Sequence, residues 1–383
     1  MRVGLLIFGD INTQSGGYLY DRQLTAYLRA QGDTVEIISL PPRTYVGNLR
    51  RKTIPAELAE SKLDILIQDE LVYPRMFNIN AKLQAHLNCP IIALIHLLDS
   101  SRPQGPARRY LARWAERRYL RSVDGVILNS RSTHHLVNEL LHGKMPPHVI
   151  AVPAADHQMA FLPEAERTET SGAETFEAET SGVAAAERRS ASKHPRLNIL
   201  YVGNVIHQKG LHLLLKALEG TERDHMRLTV AGRLDMEPGY VKHIHRIIRR
   251  KKLGHMVRFT GSLNSSALTC CYQAHDVLVL PSVNEAYGIV YLEAQRFGLP
   301  VIGTVAGGAR EIIQPGTNGY LLEPGDSKTL FAYLTLLHKD RAHLEMLSAN
   351  AQHYYRQHPR WDDSCALIRT FLLRTSAGWN SPH

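Results

Sequence analysis

Residues 277–303 read VLVLPSVNEAYGIVYLEAQRFGLPVIG, and they decide the fold of the region around them. The apolar runs 277–280 and 301–303 predict two buried strands, since each is too short for a helix. The residues between them predict a loop and a helix that ends near Gly298-Leu299-Pro300. Two strands joined by a crossover helix form the repeating unit of an α/β protein with a parallel sheet.

The same alternation extends over most of the chain and predicts two α/β domains. The predicted strands of the first series are residues 3–8, 35–40, 63–68, 91–95 and 125–129, and those of the second are 197–202, 227–231, 257–260, 277–280, 301–303 and 319–322. Residues 163–196 are rich in Glu, Ala, Thr and Ser, which predicts a flexible linker; a folded or partner-binding segment is the alternative. We therefore expect domains at 1–162 and 197–352, with a final helix in 353–383 that completes the first domain.

The composition excludes several classes of protein. The 383 residues carry 45 Lys and Arg against 36 Asp and Glu, a formal net charge of +9 that favours contact with phosphate groups. The longest strongly apolar stretches, such as residues 91–98, are shorter than the roughly 18–20 residues that span a bilayer. Four cysteines without disulfide or metal-ligand spacing, and a first apolar run without a cleavage site, predict a cytoplasmic protein.

Searches for common motifs exclude further chemistry. The sequence contains no Gly-x-Gly, no Walker-type Gly-Lys-Ser/Thr and no Gly-x-Ser-x-Gly, which argues against common dehydrogenases, P-loop NTPases and α/β-hydrolases. No two of the 20 histidines are three or four residues apart, and no Asp-x-Asp is present. We therefore expect no metal site and no cofactor.

Two carboxylates lie eight residues apart in the segment quoted above. If the helix begins near Gly288, Glu285 lies in the preceding loop and Glu293 lies in the second turn. The backbone N–H groups of Gly288, Ile289 and Val290 then have no partner within the helix, and such groups suit a diphosphate.

This region resembles the donor site of family 4 glycosyltransferases, which are retaining, metal-independent enzymes. The resemblance covers most of residues 197–326. It rests on the Glu-x7-Glu pattern with Ala-Tyr-Gly-Ile, Gly298-Leu-Pro-Val-Ile-Gly303, Tyr201-Val-Gly203-Asn204 with Lys209-Gly210, Val230-Ala-Gly232-Arg233, Arg258-Phe-Thr-Gly261, Gly307-Gly308 with Glu311, and Asn318-Gly319-Tyr320. It implies the GT-B architecture, in which two doubly wound Rossmann-like domains face each other across a central cleft. The N-terminal domain is then the acceptor side, and the C-terminal domain binds the nucleotide sugar.

The resemblance implies roles for both carboxylates. Glu293 would bind the ribose of the donor, whereas Glu285 would contact the hydroxyl groups and the developing positive charge of the transferred sugar. A carboxylate accepts two hydroxyl hydrogens at once, and charge-assisted hydrogen bonds are about twice as strong as neutral ones. The alternative for Glu293 is a solvated position on the helix surface.

Lys209 lies between a predicted strand and an apolar helical run, near a helix N-terminus. A cation at a helix N-terminus is unfavourable because it opposes the helix dipole, and binding of the leaving diphosphate would explain its presence there. An ordinary surface lysine is the alternative. Family members commonly pair this lysine with an arginine at the position of Asn204. We predict that Gly203 and Asn204 line the donor site and that Arg233 supplies the missing positive charge.

The N-terminal half resembles the family more loosely. Gly16 and Gly17 follow the first predicted strand, where they permit a ligand to approach the backbone closely; a simple turn is the alternative. His96 directly follows the strand 91–95, where the family has a functionally important histidine near the acceptor and the reacting sugar. We predict a catalytic role for His96, with a core histidine as the alternative.

Segment 102–121 contains seven arginines and one glutamate. Arg109, Arg113, Arg117 and Arg121 are spaced four apart, so they form one stripe if the segment is helical. Related enzymes that act on lipid acceptors use a basic N-domain surface to bind anionic membranes. The stripe is therefore a candidate membrane contact, and an ordinary solvated helix face is the alternative.

The sequence thus predicts a retaining glycosyltransferase that moves a sugar from a nucleoside-diphosphate sugar to an acceptor hydroxyl, in bacterial polysaccharide or glycolipid biosynthesis. The expected acceptor is a glycan, a glycolipid or a small glycoside, and no nucleic-acid partner is expected. The cytoplasm or the inner face of the cytoplasmic membrane is the expected location. Two rival interpretations remain: another GT-B sugar enzyme, such as an epimerase or a phosphorylase, and a non-catalytic membrane or complex-assembly protein, which the missing arginine at Asn204 favours.

Overall fold

The computed structural model describes residues 1–13, 15–41, 53–58, 61–102, 104–156, 196–221 and 225–379. The chain divides into two compact units: unit 1 comprises residues 1–154 and 359–383, and unit 2 comprises residues 155–358. The predicted first domain, 1–162, extends past the boundary at 154, and the predicted return at 353 precedes the return at 359. The linker predicted at 163–196 lies, except for Arg196, outside the described residues.

Unit 1 contains a sheet of six parallel strands in the order β2-β1-β3-β4-β5-β6. The strands are Arg2–Phe8 (β1), Thr34–Leu40 (β2), Ile65–Asp69 (β3), Ile91–Ile95 (β4), Gly125–Leu128 (β5) and His148–Ile150 (β6). Every position of β3, β4 and β5 is buried, because the faces of a parallel sheet are covered in α/β folds. The apolar runs predict the first five strands but not β6, which has only three residues.

Local side chains determine where helices of unit 1 begin. The first five helices are Gly16–Ala30 (α1), Tyr73–Met76 (α2), Asn80–Leu87 (α3), Pro106–Leu120 (α4) and Arg131–Leu140 (α5). Ser15 Oγ accepts the N–H of Tyr18 at the start of α1, and Ser130 Oγ accepts the N–H of Thr133 at the start of α5. Each serine satisfies an N–H group that has no partner within its helix.

Unit 2 contains a second sheet of six parallel strands, in the order β12-β11-β10-β7-β8-β9. The strands are Leu197–Val202 (β7), Met226–Ala231 (β8), Val257–Gly261 (β9), Val277–Val279 (β10), Val301–Thr304 (β11) and Gly319–Leu322 (β12). All six coincide with predicted strands to within one residue at either end. This is the strand order of the Rossmann fold, which reverses its direction between β7 and β10.

Helices alternate with the strands of unit 2. They are Leu211–Ala217 (α6), Pro238–Arg250 (α7), Ser265–Ala274 (α8), Ile289–Arg296 (α9), Ala309–Ile312 (α10), Ser327–Lys339 (α11) and Arg341–Gln357 (α12). The short 3-10 helix His207–Lys209 precedes α6 and ends at Gly210, whose φ is +73°. Both sheets with their helices confirm the predicted α/β class.

The last helix, Trp361–Gly378 (α13), belongs to unit 1, so this unit is built from two separate parts of the chain. Ser364 Oγ donates a hydrogen bond to the carbonyl of Val152 at 2.7 Å. Arg369 Nε lies 2.7 Å from Asp33 Oδ2. The final helix expected within residues 353–383 is therefore present, at Trp361–Gly378. Among the described residues, no helix is both long and apolar enough to cross a membrane.

Candidate active site

The carboxyl ends of β7 and β10 lie side by side, because these strands are neighbours in the sheet of unit 2. Sheets of this kind bind ligands where the strand order reverses. Lys209 follows β7, Glu285 follows β10, and Lys209 Nζ donates a hydrogen bond to Glu285 Oε2 at 2.6 Å. Their side chains are only 24% and 13% exposed. Two residues predicted as catalytic from separate motifs are thus in direct contact at the switch point.

The loop after β10 holds Glu285 through both its side chain and its backbone. Ser282 Oγ lies 3.2 Å from Glu285 Oε2, and the Glu285 carbonyl accepts the N–H of Gly308 at 3.0 Å. Gly307 has a φ of +77°, and a Cβ atom there would lie 1.8 Å from the Glu285 carbonyl oxygen. Only glycine fits at position 307, which explains physically why Gly307 accompanies the glutamate motif.

Helix α9 begins directly after Gly288, whose φ is +98°. A Cβ atom on Gly288 would lie 2.3 Å from the ring of Tyr291, so this helix start also requires glycine. The first hydrogen bond of this turn runs from the N–H of Tyr291 to the carbonyl oxygen of Gly288. The N–H groups of Gly288, Ile289 and Val290 come before it along the chain, at the open N-terminal end of the helix. The same edge of the sheet thus combines a lysine with the positive end of a helix dipole.

Glu293 lies in α9 and is only 9% exposed, so the alternative of a solvated surface position is wrong. Tyr272 in α8 donates its hydroxyl to Glu293 Oε2 at 2.7 Å. The Tyr272 ring stacks on Phe297, with a centroid separation of 5.5 Å and an interplanar angle of 8°. Burial, and then the charge of Glu293, raise the pKa of Tyr272 well above its usual range, so the hydroxyl keeps its proton. No pattern in the sequence singles out Tyr272, which lies 21 residues before Glu293 in a different helix.

The loops after β7 and β8 contact each other. The N–H of Val205 donates to the carbonyl of Arg233 at 2.9 Å, and a Cβ on Gly232 would lie 2.0 Å from the oxygen of Gly203. Gly203 and Asn204 are therefore close to the backbone of Arg233. The Arg233 guanidinium, however, pairs with Asp235 through contacts of 2.9 and 2.6 Å. The role predicted for Arg233 at a diphosphate stays a prediction.

In unit 1, Gly16 and Gly17 form the first turn of α1, and His96 directly follows β4. A Cβ on Gly17 would lie 3.2 Å from Cδ2 of His96, so the predicted glycine and histidine are neighbours. The Glu70 carboxylate accepts the N–H of His96 at 2.6 Å. The site residues predicted in the N-terminal half thus meet at one edge of the sheet in unit 1.

His96 is 7% exposed and faces two acidic side chains that no sequence pattern indicates. Its Nε2 atom lies 3.5 Å from Asp21 Oδ1 and 3.5 Å from Asp69 Oδ2. Asp69 is the last residue of β3, and β3 and β4 are neighbours, so their common edge could have indicated this pair. Asp21 lies within an amphipathic helix, where nothing in the sequence distinguishes it from a surface residue.

The predicted arginine stripe is only partly exposed. Arg109 and Arg113 are exposed on α4, and Arg121 is exposed just after the helix. Arg117 is half-buried and donates its Nε–H to the carbonyl of Leu140 at 3.0 Å. Two aromatic residues accompany the exposed arginines, Tyr110 at 76% and Trp114 at 48% exposure.

Residues 184–354 match the family model described as Glycosyl transferases group 1. Over these residues the chain is similar to that family. The resemblance predicted from the motifs is therefore confirmed. An uncharacterized glycosyltransferase of Methanocaldococcus jannaschii is 32% identical over 166 residues, which are 43% of this chain and 42% of that protein. The chain thus spans less than half the length of this curated relative.

Solved structures of similar fold cover nearly the whole chain. Sucrose-phosphate synthase from Thermosynechococcus elongatus matches with a TM-score of 0.78 and 19% identity, over 99% of this chain and 100% of that chain. HepE from Anabaena, in complex with UDP and glucose, matches with a TM-score of 0.71 and 19% identity, over 97% of this chain and 99% of that chain. At these identities the likeness concerns the fold, and it confirms the predicted GT-B class.

Proposed function

We propose that this protein transfers a glycosyl group from a nucleoside-diphosphate sugar to an acceptor hydroxyl, with retention of configuration. The observation that carries the proposal is the contact between Lys209 and Glu285 at the switch point of unit 2, beside the N-terminus of α9. The lysine and the helix N-terminus suit a diphosphate. Glu285 and the buried Glu293 suit sugar and ribose hydroxyl groups.

The nucleotide binds through Glu293. Tyr272 donates a hydrogen bond to Oε2 of this carboxylate. A carboxylate accepts hydrogen bonds at both oxygens, which suits the two hydroxyl groups of a ribose. Gly203 and Asn204 lie at the neighbouring strand end and line the same donor. Because HepE was solved with UDP, UDP-sugars are the first donors to test.

The bond between the sugar and the diphosphate breaks as the acceptor oxygen attacks from the same face. Negative charge then develops on the leaving phosphate, where Lys209 and the N–H groups of Gly288, Ile289 and Val290 stabilise it. A single such donor is typically worth ~3–4 kcal/mol of transition-state stabilisation. Glu285 binds hydroxyl groups of the sugar and balances its positive charge, and a leaving-phosphate oxygen takes the acceptor proton. This mechanism requires no metal ion at the diphosphate.

The acceptor is a growing bacterial glycan or glycolipid, and His96, Gly16 and Gly17 of unit 1 serve the acceptor and the reacting sugar. Anionic lipid binds the exposed face of α4, where Arg109 and Arg113 accompany Tyr110 and Trp114. Arg109→Glu with Arg113→Glu should abolish cosedimentation with anionic vesicles. Charge reversal at Arg249 and Arg250, which are exposed on α7, serves as the matched control.

A thermal-shift screen without metal tests the donor class. The wild type is melted with UDP, GDP, ADP and their sugars, and ligand at 100 times its Kd should add ~2.7 kcal/mol to the native state. We expect Glu293→Ala to lose the shift, and Glu285→Gln to keep it but lose transfer to an acceptor. Product formed without any acceptor would favour an epimerase or a phosphorylase. No shift with any nucleotide would contradict the proposal and favour the non-catalytic assembly protein, which the missing arginine at Asn204 supports.

A further inference from the structure

Three side chains of metal-ligating types meet inside unit 1. Asp21 lies in the second turn of α1, Asp69 ends β3, and His96 follows β4. One donor atom from each of them lies within 4.8 Å of the other two, and all three residues are buried. The three segments meet because β1, which precedes α1, is a neighbour of β3, and β3 is a neighbour of β4.

Hydrogen bonds within the cluster do not satisfy its polar atoms. Both contacts of His96 Nε2, with Asp21 Oδ1 and with Asp69 Oδ2, are 3.5 Å long, which exceeds the usual hydrogen-bond range. A ring nitrogen also carries at most one hydrogen, so it can serve only one of the two carboxylates. Asp21 has no exposed surface, and neither of its oxygens has a hydrogen-bond partner in the part of the chain that the structure describes. Such a carboxylate is costly to bury.

We propose that Asp21, Asp69 and His96 bind one divalent metal ion of the zinc or manganese type. Donor atoms about 2.1 Å from a tetrahedral ion are about 3.4 Å apart, close to the two contacts of 3.5 Å that His96 Nε2 makes. Two carboxylates and a neutral imidazole balance the charge of a divalent ion, so the complete cluster is neutral when buried. A set of one nitrogen and two oxygens without sulfur suits Zn²⁺ or Mn²⁺.

Neighbouring groups orient these ligands. Asp69 Oδ1 accepts the N–H of Leu71 at 2.9 Å, which leaves Oδ2 directed at His96. Glu70 Oε2 accepts the N–H of His96 at 2.6 Å, and the ring of Tyr20 packs edge-on against the imidazole with centroids 5.2 Å apart. Metal ligands are commonly held by such a surrounding layer of contacts. The ion would tie α1 to two central strands and would fix the ring of His96, which the proposed function assigns to the acceptor and the reacting sugar. Metal content is measured without either substrate, so the two proposals are tested separately.

Metal content tests the inference directly. The purified full-length chain is stripped with a chelator, dialysed against Zn²⁺ or Mn²⁺, washed, and measured for metal ions per chain. We expect about one retained ion per chain in the wild type, and a loss of at least tenfold in affinity in Asp21→Asn and in Asp69→Asn. The exposed pair His135 and Glu139, 3.2 Å apart on α5, provides the control, because His135→Ala should leave the retained ion unchanged.

A second measurement on the wild type keeps the test valid if the variants fold poorly. Co²⁺ should give the visible absorption of a four-coordinate site, and Zn²⁺ should displace it with one-to-one stoichiometry. Failure to retain any ion, with no Co²⁺ spectrum, would overturn the proposal and leave a proton shared between His96 and the carboxylates. Retention that His135→Ala abolishes would also overturn it, because the ion would then be bound at the surface.

Discussion

Replacement of Tyr272 by phenylalanine tests whether a buried hydrogen bond prepares Glu293 for the nucleotide. Tyr272→Phe keeps the ring that stacks on Phe297 and removes only the hydroxyl, which lies 2.7 Å from Glu293 Oε2. Removing a hydrogen bond to a charged group costs about 1.5–3 kcal/mol. Unit 2 spans 358 − 155 + 1 = 204 residues, and at this size 1 kcal/mol shifts Tm by about 2–4 °C. We therefore expect Tm to fall by about 3–12 °C.

The same substitution should weaken nucleotide binding. Without the tyrosine, Glu293 loses one of the contacts that hold its rotamer, and immobilising such a side chain costs about 0.5–1.5 kcal/mol, or roughly a 2- to 12-fold rise in Kd. Isothermal titration with the nucleotide selected by the thermal screen measures this change. Tyr333→Phe is the matched control, because its ring stacks on Tyr320 in the same unit with centroids 4.1 Å apart. An unchanged Tm and Kd in Tyr272→Phe would refute the reasoning, and a tighter Kd would show that Tyr272 competes with the ribose.

Three further predictions follow from other contacts. Lys209→Met should lower kcat by about 10²–10³ with little change in Tm, which steady-state kinetics and melting will separate. Gly307→Ala should cost more stability in urea denaturation than Gly316→Ala, because both glycines have φ near +75° but only the first Cβ would meet backbone atoms. Burial raises the pKa of Glu116 from 4.5 to about 7. The folded state therefore binds the proton of the Glu116 carboxyl more tightly than the unfolded state does. As pH rises from 4.5 to 7, the free energy of unfolding falls by up to about 3 kcal/mol. Glu116→Gln should remove that slope in urea titrations at pH 5 and 8, and an unchanged slope would contradict the assignment.

The sequence predicts the parallel strands well because each is a short apolar run bounded by loop residues. Strand β6 is missed, since His-Val-Ile at 148–150 is too short to stand out from a loop. Lys209 and Glu285 could be proposed separately from their motifs. Their direct contact depends on β7 and β10 being neighbours, which no local pattern encodes.

The residues that the sequence did not predict make their contacts with site residues that are distant in the chain. Tyr272 reaches Glu293 from another helix, and Asp21 reaches His96 from α1. Tyrosine and aspartate are common on amphipathic helices, so composition and periodicity cannot single them out. Local spacing in the sequence also does not reveal the candidate cluster of metal ligands, because its three members come from distant segments of the chain.

The return of α13 to unit 1 has a consequence for synthesis on the ribosome. Ser364 and Arg369, which bind Val152 and Asp33, are translated only after all 204 residues of unit 2 (358 − 155 + 1). At 5–20 residues per second, the nascent first unit waits roughly 10–40 s for its last helix. During that interval, the groove that later receives Trp361 beside Tyr20 is open to solvent and to chaperones. A premature stop after residue 358 would therefore damage the unit that was translated first.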